Sequence, residues 1–194
     1  RMKTIFYTFI ILVQALYSSV TLANEVTVGN AIFNTKYDYQ FKKYWELYNP
    51  PSTIYEPWKL LKAQCYAESA FKPDAVSHVG AQGICQFMPG TWNQYGIGNP
   101  FDADANINAS ALYMSKLIYS WKAPRPDKDR MQLAQASYNA GFGHLLKAQR
   151  LCDNSNKYNK IIVCLPKVTG QHSKETITYV KRIWVGYYKL LTGI

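Results

Sequence analysis

The sequence predicts a mostly α-helical fold interrupted by one irregular, glycine-punctuated insert. Three observations carry that expectation. Apolar residues recur at spacings of three and four in several stretches from residue 37 onward. Pro and Gly close those stretches off, as in Asn49-Pro50-Pro51 and Lys72-Pro73. Between residues 74 and 90 the period is lost and Gly80, Gly83 and Gly90 take its place. The chain has 194 residues, 48% hydrophobic and 15% aromatic, which supports one sizeable core and argues against a disordered chain. Its 11 Gly and 9 Pro have no period, which excludes collagen-like and low-complexity classes.

Taken in order, the first element is a leader. Met2-Lys3 is followed by an apolar run from Ile5 to Tyr17 and by Thr21-Leu22-Ala23, the layout of a secretory signal over residues 1–23. The run is shorter than the roughly 20 residues a spanning helix needs, and an uncleaved anchor is the alternative. Tyr37, Phe41, Tyr44 and Tyr48 recur at intervals of about four and predict an amphipathic helix, which either packs on the domain or docks a partner. A second helix opens near Pro57 and runs through Leu61, Cys65 and Glu68 to Phe71. Residues 74–90 read as a loop with a small strand or hairpin. A third helix follows Asp104 as N-cap and carries Ile107, Ala111, Met114, Ile118 and Trp121, before Pro124 and Pro126 break it. A fourth runs from about Arg130 through Tyr138 to Gly141, with a short helix around Leu145-Leu146 after it. The last starts at Ser173, with Ile177, Val180, Trp184, Tyr187 and Leu191 on one face. The domain division expected is 1–23 leader, 24–54 aromatic helix and linker, and 55–194 the main domain.

Charge and cysteines narrow the class. The formal net charge is +10, with Lys and Arg spread along the chain and no nucleic-acid-binding signature, so nucleic acid is not the expected partner. An anionic polymer outside the cytoplasm suits an exported basic chain better. Cys65, Cys85, Cys152 and Cys164 have no C-x-x-C spacing and no histidines at zinc-like distances, so a metal site is not expected. Four cysteines allow three pairings. The simplest is Cys65–Cys85 with Cys152–Cys164, and four buried thiols are the alternative.

Chemistry is expected where the helical pattern is violated. Glu68 lies seven residues after Leu61 and three after Cys65, on the same apolar face, with Ala67 and Phe71 beside it. Loss of hydration there disfavours the charged carboxylate and raises its pKa, as a general acid requires. The alternative is a Glu that reaches solvent from the edge of the face.

Four blocks add to that reading. They are Glu68-Ser69-Ala70-Phe71 with Ser77 and Gly80-Ala81-Gln82-Gly83-Ile84-Cys85-Gln86-Phe87-Met88-Pro89-Gly90-Thr91; Asn106-Ile107; Ser137-Tyr138-Asn139-Ala140-Gly141-Phe142-Gly143; and Glu175-Thr176 with Tyr179-Val180. Together, over about residues 57–190, they resemble the soluble lytic transglycosylases related to goose-type lysozyme. The resemblance implies a lysozyme-like α+β domain, mostly α, with a small irregular hairpin next to the catalytic helix. It implies Glu68 as the single catalytic acid/base and Ser77, Gln86, Met88, Tyr138 and Glu175 as substrate-binding residues of the cleft. Each has a plainer reading: Ser77 shaping a turn, Gln86 satisfying loop backbone, Met88 and Tyr138 filling core, and Glu175 favouring a helix start. Cys85 departs from the family, which usually has an apolar residue there. A Cys65–Cys85 bond would tie the catalytic helix to the loop carrying Gln86. The segment between Cys152 and Cys164 is an insertion with no assigned role, and His78, His144 and His172 are read as structural.

The implied reaction is cleavage of the β-1,4 bond between N-acetylmuramic acid and N-acetylglucosamine in peptidoglycan, leaving 1,6-anhydro-muramic acid ends, without metal or cofactor. A hydrolytic lysozyme and a non-catalytic wall-binding protein are the alternatives. The expected partner is the peptidoglycan glycan strand, with a secretion, conjugation or phage apparatus as candidate settings. The expected location is exported, periplasmic or secreted, bacterial or phage-encoded, with no stable membrane anchor once the signal is cleaved.

Overall fold

The computed structural model describes residues 31–194. The expected leader, residues 1–23, lies outside the described residues. The chain divides into two compact units, 1–34 and 35–194; only residues 31–34 of the first are described, and the second contains everything discussed below.

Nine α-helices are described in the second unit. Helix α1 (Asp38–Tyr48) buries Phe41, Tyr44 and Trp45 and gives way to extended backbone at Asn49, before Pro50. Helix α2 (Trp58–Ser69) follows Pro57 and buries the run from Leu60 to Cys65. Helices α3 (Pro89–Tyr95) and α4 (Ala103–Ser120) come next, then α5 (Asp127–Ala140) and α6 (Phe142–Leu151). Two single-turn helices, α7 (Tyr158–Ile161) and α8 (Pro166–Thr169), precede the 20-residue α9 (Ser173–Thr192). Helix α1 packs on α2 and α4, while α9 packs on α2 and α5, so α2 is held between α1 and α9. The core between these helices includes Phe41, Leu60, Leu61, Ile107, Met114, Leu133 and Ile183, all buried.

The irregular insert is built as expected. Between α2 and α3, Gln82 makes isolated antiparallel bridges to Val76 and to Phe87. Its N–H donates to the Phe87 carbonyl at 2.8 Å, and the Phe87 N–H returns the bond at 2.9 Å.

Four expectations about elements are corrected. Helix α2 ends at Ser69, not Phe71, because Ala70 and Phe71 both turn left-handed, at φ 53° and 63°. The N-cap of α4 is Asp102, whose carboxylate accepts from the Ala105 N–H at 2.9 Å; Asp104 instead sits in the first turn and accepts from the Tyr44 hydroxyl at 2.6 Å. On α9 the buried stripe runs Thr176, Tyr179–Val180, Ile183–Trp184 and Tyr187, which leaves Ile177 exposed. Pro89 and Gly90, expected to close the loop, instead open helix α3, a stretch to which no helix was assigned; Pro89 at its first position gives it a start and the buried Trp92 an anchor.

Both disulfides of the simplest pairing are present, Cys65–Cys85 and Cys152–Cys164. The first ties α2 to the insert; the second ties the end of α6 to the turn before α8.

Candidate active site

The end of α2, the insert, the last turn of α5 and the first half of α9 meet around a groove of about 600 Å³. All six residues singled out from the sequence line it: Glu68, Ser77, Gln86, Met88, Tyr138 and Glu175. They come from four separate elements, and each is positioned by a local reason.

Glu68 reaches the groove because α2 stops one residue later. Ser69 turns its hydroxyl onto the Ile84 carbonyl at 2.7 Å and accepts from the Lys72 N–H at 3.1 Å, which pins the helix end to the insert. Within the insert, Ser77 Oγ accepts from the Ala81 N–H at 2.9 Å, so Ser77 shapes the turn as well as lining the groove. Gln86 stands in left-handed backbone at φ 55° and donates through Nε2 to the carbonyls of Ala75 and Gly83, at 3.1 and 2.9 Å. Met88 is exposed at the mouth of the groove.

Behind the insert stands Asn106 of α4, fully buried. Its Oδ1 accepts from the Cys85 N–H at 2.9 Å, and its Nδ2 donates to the Pro100 and Gln82 carbonyls at 2.8 and 3.3 Å. Gly83 lies against it at φ 81°; a Cβ there would sit 2.2 Å from the Pro100 carbonyl oxygen and 2.3 Å from Asn106 Nδ2. This position admits only glycine. The Tyr138 hydroxyl donates to the Cys85 carbonyl at 2.9 Å, joining α5 to the same loop.

The Tyr179 hydroxyl of α9 donates to Glu68 Oε1 at 2.6 Å. The sequence blocks included Tyr179 without giving it a role, since helical spacing places it only on a buried face and says nothing of a partner 111 positions away. Arg182, one turn further, donates to the Ala67 carbonyl at 2.6 Å and also lines the groove. Glu175, in the first turn of α9, accepts from Asn139 Nδ2 at 3.4 Å.

The electrostatics follow from these contacts. Burial pushes the Glu68 carboxyl up to about 7, with Glu175 adding to the rise, while the Tyr179 hydrogen bond and the Arg182 charge hold it down. Burial, followed by the Glu68 charge, drives the Tyr138 and Tyr179 hydroxyls well above the usual phenol range, so both remain proton donors. The groove thus holds a carboxyl that is substantially protonated at neutral pH beside polar side chains able to orient a hydroxylated ligand. His78, read as structural from the sequence, also lines it. Among the described residues, no group of three or more His, Cys, Asp or Glu could hold a metal ion.

Known proteins resemble this chain in sequence and in fold. Relatives include a protein named membrane-bound lytic murein transglycosylase F from Desulfosudis oleivorans, 30% identical over 149 residues, covering 69% of this chain and 33% of the relative. A protein of the same name from Marinobacter nauticus is 41% identical over 101 residues, covering 52% of this chain and 20% of its own length. The chain therefore spans a third or less of these relatives. Among solved structures, the 70 kDa soluble lytic transglycosylase from Escherichia coli is 26% identical with a TM-score of 0.59, over 83% of this chain and 25% of that one. An inactive mutant of the lytic transglycosylase Slt from Pseudomonas aeruginosa, at 24% identity, shares the fold with a TM-score of 0.60, over 82% of this chain and 25% of its own. The mostly α, lysozyme-like fold class expected from the sequence is the one these structures carry. Residues 52–161, which include Glu68, the insert and Tyr138, match the transglycosylase SLT domain, and the chain belongs to that family.

Proposed function

We propose that the chain cleaves the β-1,4 bond between N-acetylmuramic acid and N-acetylglucosamine in peptidoglycan and leaves 1,6-anhydro-muramic acid ends. The observation that carries this reading is Glu68, a carboxyl raised to about 7 in a polar groove and held by one phenol. In the reading, protonated Glu68 gives its proton to the glycosidic oxygen as the bond from that oxygen to the anomeric carbon breaks. The substrate's acetamido group shares the positive charge left on the anomeric carbon. Glu68, now a carboxylate, takes the proton from the sugar's C6 hydroxyl as the C6 oxygen bonds to the anomeric carbon. One C–O bond is broken, one is formed, and no water is consumed.

Other residues fill supporting roles. Ser77, Gln86, Met88, Tyr138 and Glu175 contact the sugars, and Tyr179 holds the acid in place. The names of the relatives support the substrate class. Two disulfides support work in an oxidising compartment, outside the cytoplasm. No described helix is long and apolar enough to cross a membrane.

The test is mass analysis of fragments released from purified peptidoglycan by the full chain and by Glu68→Gln. Products with 1,6-anhydro-muramic acid ends, lost in the variant, are expected. Products heavier by one water would make the protein a hydrolytic lysozyme. No release by the unaltered chain would leave wall binding without turnover.

A further inference from the structure

Away from the groove, two hollows meet at Asp127. The larger, about 550 Å³, lies between residues 53–55, the connection before α5 and the end of α9. The smaller, about 400 Å³, lies between the segment after α1, the end of α4 and the start of α5. Neither shares a lining residue with the groove. Along α9, at about 100° per residue, Glu175, Tyr179 and Arg182 turn toward the groove, while Trp184, Tyr187 and Tyr188 turn to the opposite side.

The lining combines cations with aromatic faces. Arg125 and Lys128 line the larger hollow, and Lys122 and Arg130 the smaller. The ion pairs among the described residues, Lys59–Glu56 and Lys62–Asp38, include none of these four. Asp127 is engaged elsewhere, since its Oδ2 accepts from the Thr53 N–H at 2.7 Å and the Thr53 hydroxyl at 2.8 Å. Two of the cations are held by rings: Lys128 Nζ is 5.1 Å from the Trp184 centroid, and Arg125 Cζ is 5.0 Å from that of Trp121. Arg125 Nη1 is also a buried donor that the protein leaves without a partner.

Each hollow presents tyrosine to solvent. Tyr55 and Tyr188 are 71% and 49% exposed at the larger, and Tyr119 is 58% exposed at the smaller. Tyr188 is steadied by ring contacts with Tyr187 and Trp184, at centroid separations of 5.4 and 6.0 Å. A pyranose ring is apolar on its C–H face and polar at its rim, so it covers such a ring while its hydroxyls stay wet. Cations beside the rings select sugars that carry carboxylates. The same pairing of tyrosine and cations in two adjoining hollows suits successive units of a polymer.

We infer that the two hollows form a second glycan-binding track, which holds a carboxylate-bearing strand on the side of α9 away from the groove. The choice of occupant rests on the substrate class proposed above and not on the reaction, because the track binds without cutting.

The experiment follows backbone amide shifts of the full chain carrying Glu68→Gln, which leaves strands intact. One probe is peptidoglycan strands stripped of peptide by an amidase, so that each muramic unit bears a free carboxylate. The others are N-acetylglucosamine oligomers of equal length, which have none, and a Glu-rich peptide. Shifts over residues 52–55, 119–122 and 184–188 are expected to saturate with the strands and to need about tenfold more of either other probe. Tyr55, Tyr188, Lys122 and Lys128 are exposed, so Y55A/Y188A and, independently, K122S/K128S leave the core untouched. Each pair is expected to weaken strand binding at the track about tenfold, with the shifts of Ser77 and Glu175 in the groove unchanged. Shifts confined to the groove, equal response to the neutral oligomers, a response to the Glu-rich peptide as tight as to strands, or full binding in both paired variants would overturn the inference. Absence of anhydro products with the unaltered chain would overturn the reaction and leave the track standing.

Discussion

Tyr179 and Glu68 act as one unit. The phenol stabilises the carboxylate form, so Tyr179→Phe is expected to move the Glu68 pKa above 7 by about one unit. The alkaline limb of the pH profile of kcat/KM shifts upward with it, and an unshifted limb would separate the two residues. Glu68 also couples pH to stability. Its folded pKa lies above that of the unfolded chain, so its stabilising contribution is present in acid, below the unfolded carboxylate value. That contribution is lost as pH rises toward about 7. Glu68→Gln removes the dependence and is expected to raise the melting temperature at pH 8 but not at pH 4. The buried setting of Glu68 was legible in the sequence because a carboxyl on an apolar face breaks the helical pattern. The role of Tyr179 was not, because its pattern is that of an ordinary core residue and its partner is on another helix.

Among elements, the insert depends most on its supports. Its bridges centre on the single residue Gln82, so its shape is held by Asn106, Gly83 and the Cys65–Cys85 bond. Gly83→Ala must push a methyl group into Asn106 and the Pro100 carbonyl; it is expected to unfold the insert locally and cut turnover by at least tenfold, read as faster hydrogen exchange over 74–90. C65A/C85A removes a bridge with a sequence separation of 20 and is expected to lower stability by about 3 kcal/mol in denaturant melts, with activity falling alongside. Preserved activity would show that hydrogen bonds alone fix Gln86 relative to Glu68. The long helices were legible from their period, which several turns make visible. Helices α7 and α8, four residues each, are too short to display one. The Asp102 cap of α4 was missed because Asp102 and Asp104 both precede the periodic run, and the difference lies in which carboxylate Tyr44 occupies.

At the scale of the molecule, α1 is clasped to the helices it covers by charge as well as by its aromatic face. Lys62 of α2 is 2% exposed and its ammonium lies 2.5 Å from Asp38 Oδ1, while Tyr44 reaches Asp104 on α4. Asp38→Asn leaves a buried ammonium without its counter-charge and is expected to cost about 3 kcal/mol; adding Lys62→Met should recover most of that loss. A double-mutant cycle by chemical denaturation measures both. The aromatic face of α1 was legible, but its ionic clasp was not, since a lysine at a buried helical position reads from sequence as a residue of the solvated face.

The two left-handed residues that stop α2 at Ser69 have a consequence for the acid itself. Glu68 lies in the last turn, where the unpaired carbonyls make the helix end partially negative. A second negative charge there is disfavoured, so the polarity of the helix acts in the same direction as burial and helps keep the proton on Glu68. A chain that continued as helix through Phe71 would place Glu68 nearer mid-helix, where that assistance fades. The stop at Ser69 therefore adds to the effect of burial on Glu68 as well as shaping the groove.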